Sequence, residues 1–382
     1  MEHDWGRTTR SKGIALVAVV GLAAGATACG SGNSSPSNGG ASASDTKVSP
    51  NVASAIKEFS APVTWPGPDA AVEAPKAKKI TIVICGSQGI TCVRVGNGAK
   101  AAAQALGWQA TVVDGRSDPA VWNQAVQSAI ANKSNGIVLA AVPGGLVAGA
   151  VAKAQKAGIP VAETLGVTGD PAGKTDVSRP DVAKANAAFI AKDSGGKANV
   201  LLVRDAEFPE TETTAKLYPS VLKQFCSGCS VADQVKFSLA LASQRLAGNI
   251  AQALQSNSKI NYIVLPFDTV APFVQQGIRQ AGKTGKVKIV GLGADPPSIQ
   301  AIKSGDQVMS LGNPAEWMGW TAVDTIVRKL SGKPLPARDG VTQSNYEIPQ
   351  RYVTKSNISG ADGWQGGFDY QSKFKQLWGV GG

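Results

Sequence analysis

The sequence predicts an α/β protein made of two doubly wound parallel-sheet (Rossmann-like) lobes. Three observations carry this. Short runs rich in Val, Ile and Leu recur from Ile80 onward, each too continuous for a strand with one wet face. Ala-rich stretches with helix starts and stops lie between them. The alternation then continues through two comparable halves of a 382-residue chain, too long for one simple core.

The first residues read differently. Arg7, Arg10 and Lys12 precede an apolar run over 13–28 that is short for a membrane span and closes on Ala26, Thr27 and Ala28. That is the layout of a secretory signal. Small residues directly before Cys29 resemble the lipobox of bacterial lipoproteins. The resemblance implies a signal peptide at 1–28, a lipidated Cys29 and an anchor on the outer face of the cell membrane. A plain signal peptide cleaved near Ala28 is the alternative. Next come Gly, Ser and Asn residues with nothing to bury, a short helical pattern "NVASAIKEFS", and a proline-rich approach, so 29–77 is expected to be a flexible tether.

From residue 80 the strands read "ITIVIC", "QATVVD", "GIVLAA", "IPVAET", "NVLLVR", "YIVLPF" and "VKIVGLG". Helix starts follow. Asp118-Pro119 and Asp295-Pro296 each offer an N-cap carboxylate and a first-turn proline. Gly158 closes another helix before its strand. Ligands of open parallel sheets sit beyond the carboxyl ends of strands, so the informative residues are those just after each one.

Catalytic and metal chemistry find no complete set there. "GSQGITC" lacks the Lys-Ser/Thr of a phosphate loop, and "GNGAKA" lacks the third glycine of a dinucleotide loop. The only histidine is His3, inside the signal, so a Ser-His-Asp relay and a histidine metal site are both missing from the mature chain. Glu207, Glu210 and Glu212 could pair as acid and base, but their spacing suits a solvated helix start equally well. No enzyme activity, cofactor or metal is expected.

Cys85, Cys92, Cys226 and Cys229 remain after cleavage, and an even count in an exported chain favours two local disulfides, Cys85–Cys92 and Cys226–Cys229. "CSGC" also has zinc or redox spacing. Further zinc ligands are missing, and a redox motif opens a helix where this one closes it. The net charge of +11 comes from scattered Lys and Arg, which makes no nucleic-acid footprint and fits a chain facing an anionic membrane.

Signal, tether and "AKKITIVICGSQGITCVRVGNGAKAAAQALGW" resemble the start of ribose-binding-type periplasmic proteins, the substrate-binding components of ATP-binding-cassette (ABC) sugar importers. The resemblance runs from about residue 78 to 354, through "AIANKSNGIVLAAVPGGLVAGAVAKAQKAGIPV" and "INYIVLPFDTVAPFVQQGIRQ", in the order of its elements. It implies a periplasmic-binding-protein type 1 fold with three hinge crossings, near 177–180, 311–314 and 340–346. The lobes would then be 78–179 with 312–342, and 180–311 with 343–382. The same fold serves as the effector domain of sugar-responsive repressors, which need a helix-turn-helix where this chain has an export signal.

The resemblance also implies site residues. Ser87 and Gln88 stand for the polar part of the first loop, while its sugar-stacking ring positions hold Thr91 and Cys92. An acid–arginine pair of the family falls near Leu165 and Gly166, so neither charge is present. Phe267, Asp268 and Asp295 follow strands of the second half, Asn313 stands at a crossing, and Phe208 and Trp317 offer apolar faces. "CGSQGITC" is then a cleft loop clamped by its own disulfide. The expectation is a monomeric lipoprotein that captures a small polar solute, a sugar or sugar-like compound, and delivers it to an ABC permease and its ATPase. A sensor presenting a solute to a membrane receptor and an exported enzyme are the alternatives.

Overall fold

Residues 79–84 bury five of their six side chains, which requires a strand covered on both faces. This strand, β1 (Lys79–Ile84), pairs in parallel with β2 (Gln109–Asp114) on one side and β3 (Gly136–Ala140) on the other. With β4 (Val161–Thr164) and β5 (Gly173–Thr175) they form a five-stranded sheet of order β2-β1-β3-β4-β5. The computed structural model describes residues 49–165, 173–175, 179–336, 346–358 and 360–381. Cys29, the signal peptide, half of the crossing near 177–180 and nearly all of that near 340–346 lie outside the described residues.

Helices α1 (Asn51–Ser60), α2 (Ile90–Ala105), α3 (Pro119–Ala131) and α4 (Ala148–Lys156) belong to the first half of the chain. The Asp118 cap of α3 forms as the sequence implies, its carboxylate accepting from the Ala120 amide at 2.8 Å.

The second sheet runs β11-β10-β9-β8-β6-β7, parallel except at its β11 edge. Its strands are β6 (Asn199–Asp205), β7 (Ser230–Phe237), β8 (Tyr262–Val264), β9 (Lys288–Gly293), β10 (Met309–Gly312) and β11 (Arg351–Val353). Helices α5 (Arg179–Asp193), α6 (Pro209–Phe225), α7 (Ala242–Ser256), α8 (Ala271–Gln280) and α9 (Pro296–Ser304) surround it. Cys226 ends α6 and Cys229 precedes β7, and a disulfide joins them. This is the two-lobe, doubly wound α/β architecture the strand pattern predicts.

One crossing is plain. Helix α10 (Ala315–Leu330) follows β10 of the second sheet but packs on α2 and on the first sheet, so the chain changes lobe across 312–314. Gly98 and Gly319 make that packing possible, because a β-carbon on either would collide with the backbone of the opposite helix.

Two segments depart from expectation. Within the expected tether, residues 49–77 are packed: α1 lies on α5, with Phe59 against Tyr352 at 5.6 Å, on the second lobe. The following stretch then binds the first lobe. Trp65 stacks on Trp317 at 5.6 Å, and Trp108 Nε1 donates to the Pro75 carbonyl. The carboxyl-terminal segment also changes lobe, since α11 (Tyr370–Trp378) packs on α10, with Trp378 stacked on Trp320 at 5.4 Å. Proline-rich composition hides such packing because it carries no periodicity to read.

Candidate ligand-binding cleft

The cleft lies where both parallel sheets end. From the first lobe, Gly89, Thr91 and Cys92 line it after β1, Ala141 after β3 and Leu165 after β4. From the second, Phe208, Glu210 and Thr211 follow β6, Leu239 follows β7, and Pro266, Phe267 and Thr269 follow β8. Leu292 and Gly293 end β9, and Asn313 comes from the crossing. The space between them has a volume of about 580 Å³, open solvent included.

Strand ends turn sharply here. Ala141, Leu165 and Ala294 each follow a strand with φ of 56°, 58° and 52°, the left-handed region that non-glycine residues rarely occupy. Side chains hold two of these turns. Thr164 Oγ1 accepts from the Ala141 amide at 3.0 Å, and Asp268 Oδ2 accepts from the Ala294 amide at 2.7 Å. Asp268 therefore braces the cleft from beneath. It is fully buried, it also accepts from Gln307 and Ser310, and it does not line the cavity. Burial, helped by the charge of Asp295, pushes its carboxyl up to about 6 against those hydrogen bonds.

Asp295 likewise faces protein. Its carboxylate, expected to cap α9, makes no cap hydrogen bond. Instead it takes Arg94 Nη1 at 2.7 Å and Thr91 Oγ1 at 2.9 Å, both from the first lobe. Desolvation raises the Asp295 carboxyl and Arg94 pulls it back. Arg94 also forks onto Glu316, at 2.9 and 2.7 Å, and donates to the Trp364 carbonyl. Burial works against the guanidinium, but Asp295 and Glu316 outweigh it and hold the Arg94 pKa above its ordinary value. This four-part cluster joins the lobes. Trp122 of α3 and Phe208 at the start of α6 also approach across them, with ring centroids 6.4 Å apart.

The remaining expected residues divide. Phe208, Phe267 and Asn313 are in the lining. Asn313 is 3% exposed, and its Oδ1 has no hydrogen-bond partner. Ser87 and Gln88 are exposed and turned to their own lobe, where the Ser87 amide donates to Asp114 Oδ1 and Gln88 Nε2 to Ser117 Oγ. Trp317 is fully buried in the aromatic stack with Trp65 and Tyr370. The Cys85–Cys92 disulfide is present and closes the first loop, with Cys92 on the cleft wall.

The glutamates are only in part a solvated helix start: Glu207 is exposed and Glu212 half-buried, but Glu210 is not solvated. Glu210 is 5% exposed in the cleft wall. Glu207 accepts from the Leu239 amide and the Ser238 hydroxyl, and Glu212 pairs with Arg204. A proline at the first turn of α6 fixes its entry, and the turn after Phe208 brings Glu210 round to the cavity. Arg94 carries no sequence signal of its role, and Glu210, expected at a solvated helix start, stands in the cleft wall instead. The partners of Arg94 are more than 200 positions away in sequence, so no local pattern marks them. Among the described residues no cluster of His, Cys, Asp and Glu could hold a metal ion, and no helix is long and apolar enough to cross a membrane.

Comparison with known proteins agrees with this architecture. A stretch of 104 residues is 28% identical to the D-xylose-binding periplasmic protein of Escherichia coli (strain K12), covering 27% of this chain and 32% of that protein. Another of 85 residues is 36% identical to the D-allose-binding periplasmic protein of the same organism, covering 22% and 27%. These matches span less than a third of either relative. Among solved structures, a 5-methylthioribose transporter solute binding protein from Thermotoga lettingae superimposes with a TM-score of 0.66 at 18% identity, covering 81% of this chain and 95% of that one. A sugar ABC transporter protein from Yersinia enterocolitica gives 0.68 at 19%, covering 80% and 95%. At such identities the likeness is one of fold. The sequence profile of the periplasmic binding protein domain matches residues 80–334, two lobes and the crossing between them, and the chain belongs to that family.

Proposed function

We propose that the protein is an extracytoplasmic solute receptor that captures a sugar or sugar-like compound between its lobes and delivers it to an ABC importer. One observation carries this most directly: loops from the carboxyl ends of both sheets converge on one cavity while Thr91 and Arg94 of one lobe hold Asp295 of the other. A solute there touches both lobes, so its binding energy favours the closed arrangement. The permease docks on the closed form and draws on an ATPase subunit; the receptor acts as a monomer. Xylose- and allose-binding relatives and a methylthioribose-binding neighbour support a sugar-like ligand.

The test is a thermal-shift screen of the purified mature protein across sugars, glycosides, nucleosides and amino acids. Ligand at about 100 times its dissociation constant adds about 2.7 kcal/mol of stability. A chemically unchanged solute that raises Tm supports a receptor, whereas its turnover points to an enzyme. Anchoring through Cys29 belongs to the same reading, and Cys29→Ala is expected to release the protein from the membrane fraction.

A further inference from the structure

Resting on that receptor reading, we propose that the solute is a ring compound with a large apolar face and few hydroxyls: an aryl-, alkyl- or deoxy-substituted sugar rather than a fully hydroxylated pentose or hexose. The cavity wall is the reason. Phe208, Phe267, Leu165, Leu239 and Leu292 supply its large apolar side chains, and the disulfide of Cys92 supplies another apolar surface.

The polar groups nearby are largely committed to the protein. Thr91 gives its hydroxyl proton to Asp295, and Thr211 gives its own to the Asp205 and Phe208 carbonyls. The amides of the left-handed turns at Ala141 and Ala294 are held by Thr164 and Asp268. Asp268 and Asp295, the carboxylates a sugar would use, are closed off by their own partners and do not line the cavity.

What faces the solute is sparse. Asn313 Oδ1 is a buried acceptor without a partner, and Glu210 and Thr269 stand elsewhere on the wall. A free hexose carries a hydroxyl on nearly every ring carbon, each of which needs a partner once water is excluded. Each one left unpaired weakens binding by roughly ten- to a hundred-fold. Removing a hydroxyl, or covering it with an alkyl or aryl group, converts that loss into contact with Phe208 or Phe267.

Titration calorimetry on matched probes tests this: D-galactose against D-fucose, D-mannose against D-rhamnose, D-glucose against phenyl β-D-glucopyranoside, and D-ribose against adenosine. In at least one pair the less hydroxylated or substituted member is expected to bind roughly ten-fold tighter or better. Phe267→Asn should erode that preference and Phe267→Leu should retain it. Asn313→Ala should weaken both members by roughly ten-fold. Melting curves on each variant separate a misfolded protein from a changed specificity. If the fully hydroxylated member binds as well or better in every pair that binds, the ligand class is overturned and the receptor reading stands. If no probe binds and none draws the lobes together, both are overturned.

Discussion

Asp205 ends β6 with one carboxylate oxygen accepting from the Glu207 amide at 2.8 Å and the other buried without a partner. Burial, with the Glu207 charge adding to it, raises this carboxyl to about 7. Below about pH 4 it is protonated in the folded and unfolded chains alike and costs nothing. As pH rises the unfolded chain loses its proton first, so stability falls until about pH 7 and is level beyond. Asp205→Asn is therefore expected to stabilise the protein at pH 8, on the order of 2–4 kcal/mol, and to change little near pH 4. Urea melts at the two pH values check this. Arg94 gives the opposite case. Arg94→Met strands the buried Asp295 carboxylate and unpairs the half-buried Glu316, and should cost about 3–5 kcal/mol in the same melts. Strand position shows in sequence which residues stand near a cleft, because a parallel sheet binds at one end only. It does not show which way each points. Phe267 stays extended and reaches the cavity, while the short 3₁₀ turn at 268–270 carries Asp268 underneath it.

Strands β1–β4, β6, β8 and β9 were legible as apolar runs, mostly because burial on both faces demands them, whereas β5, β7, β10 and β11 carry no such run. The clamp on the first loop was legible from cysteine parity. Gly89 sits within it, where a β-carbon would lie 2.8 Å from Cys92 Sγ, so the loop closes tightly around its disulfide. Replacing Cys85 and Cys92 with serine should cost about 2–3 kcal/mol, largely by freeing the unfolded chain, and chemical denaturation measures it. The amino-terminal strap and α11 were not legible. Their contacts are Trp65, Phe374 and Trp378 meeting Trp317 and Trp320 of α10, a match between distant segments with no local pattern.

At the scale of the molecule, three stretches among the described residues link the lobes: the strap after α1, residues 312–314, and the return from β11 to α11. Hinge opening must strain or slide all of them. Spin labels at Ser87 and Ala240, exposed loop positions of the two lobes, are expected to show a shorter and narrower distance distribution when a binding solute is added. An unchanged distribution with bound solute would argue against closure. The strap has a practical consequence as well. The family profile begins at residue 80, which invites expression of a fragment cut there. Such a fragment loses Trp65 and the Val72 amide that donates to the Leu377 carbonyl, and so bares the Trp317–Phe368–Phe374 rings to solvent. It should self-associate and elute early from a sizing column, while a fragment beginning before α1 should run as a single well-behaved species.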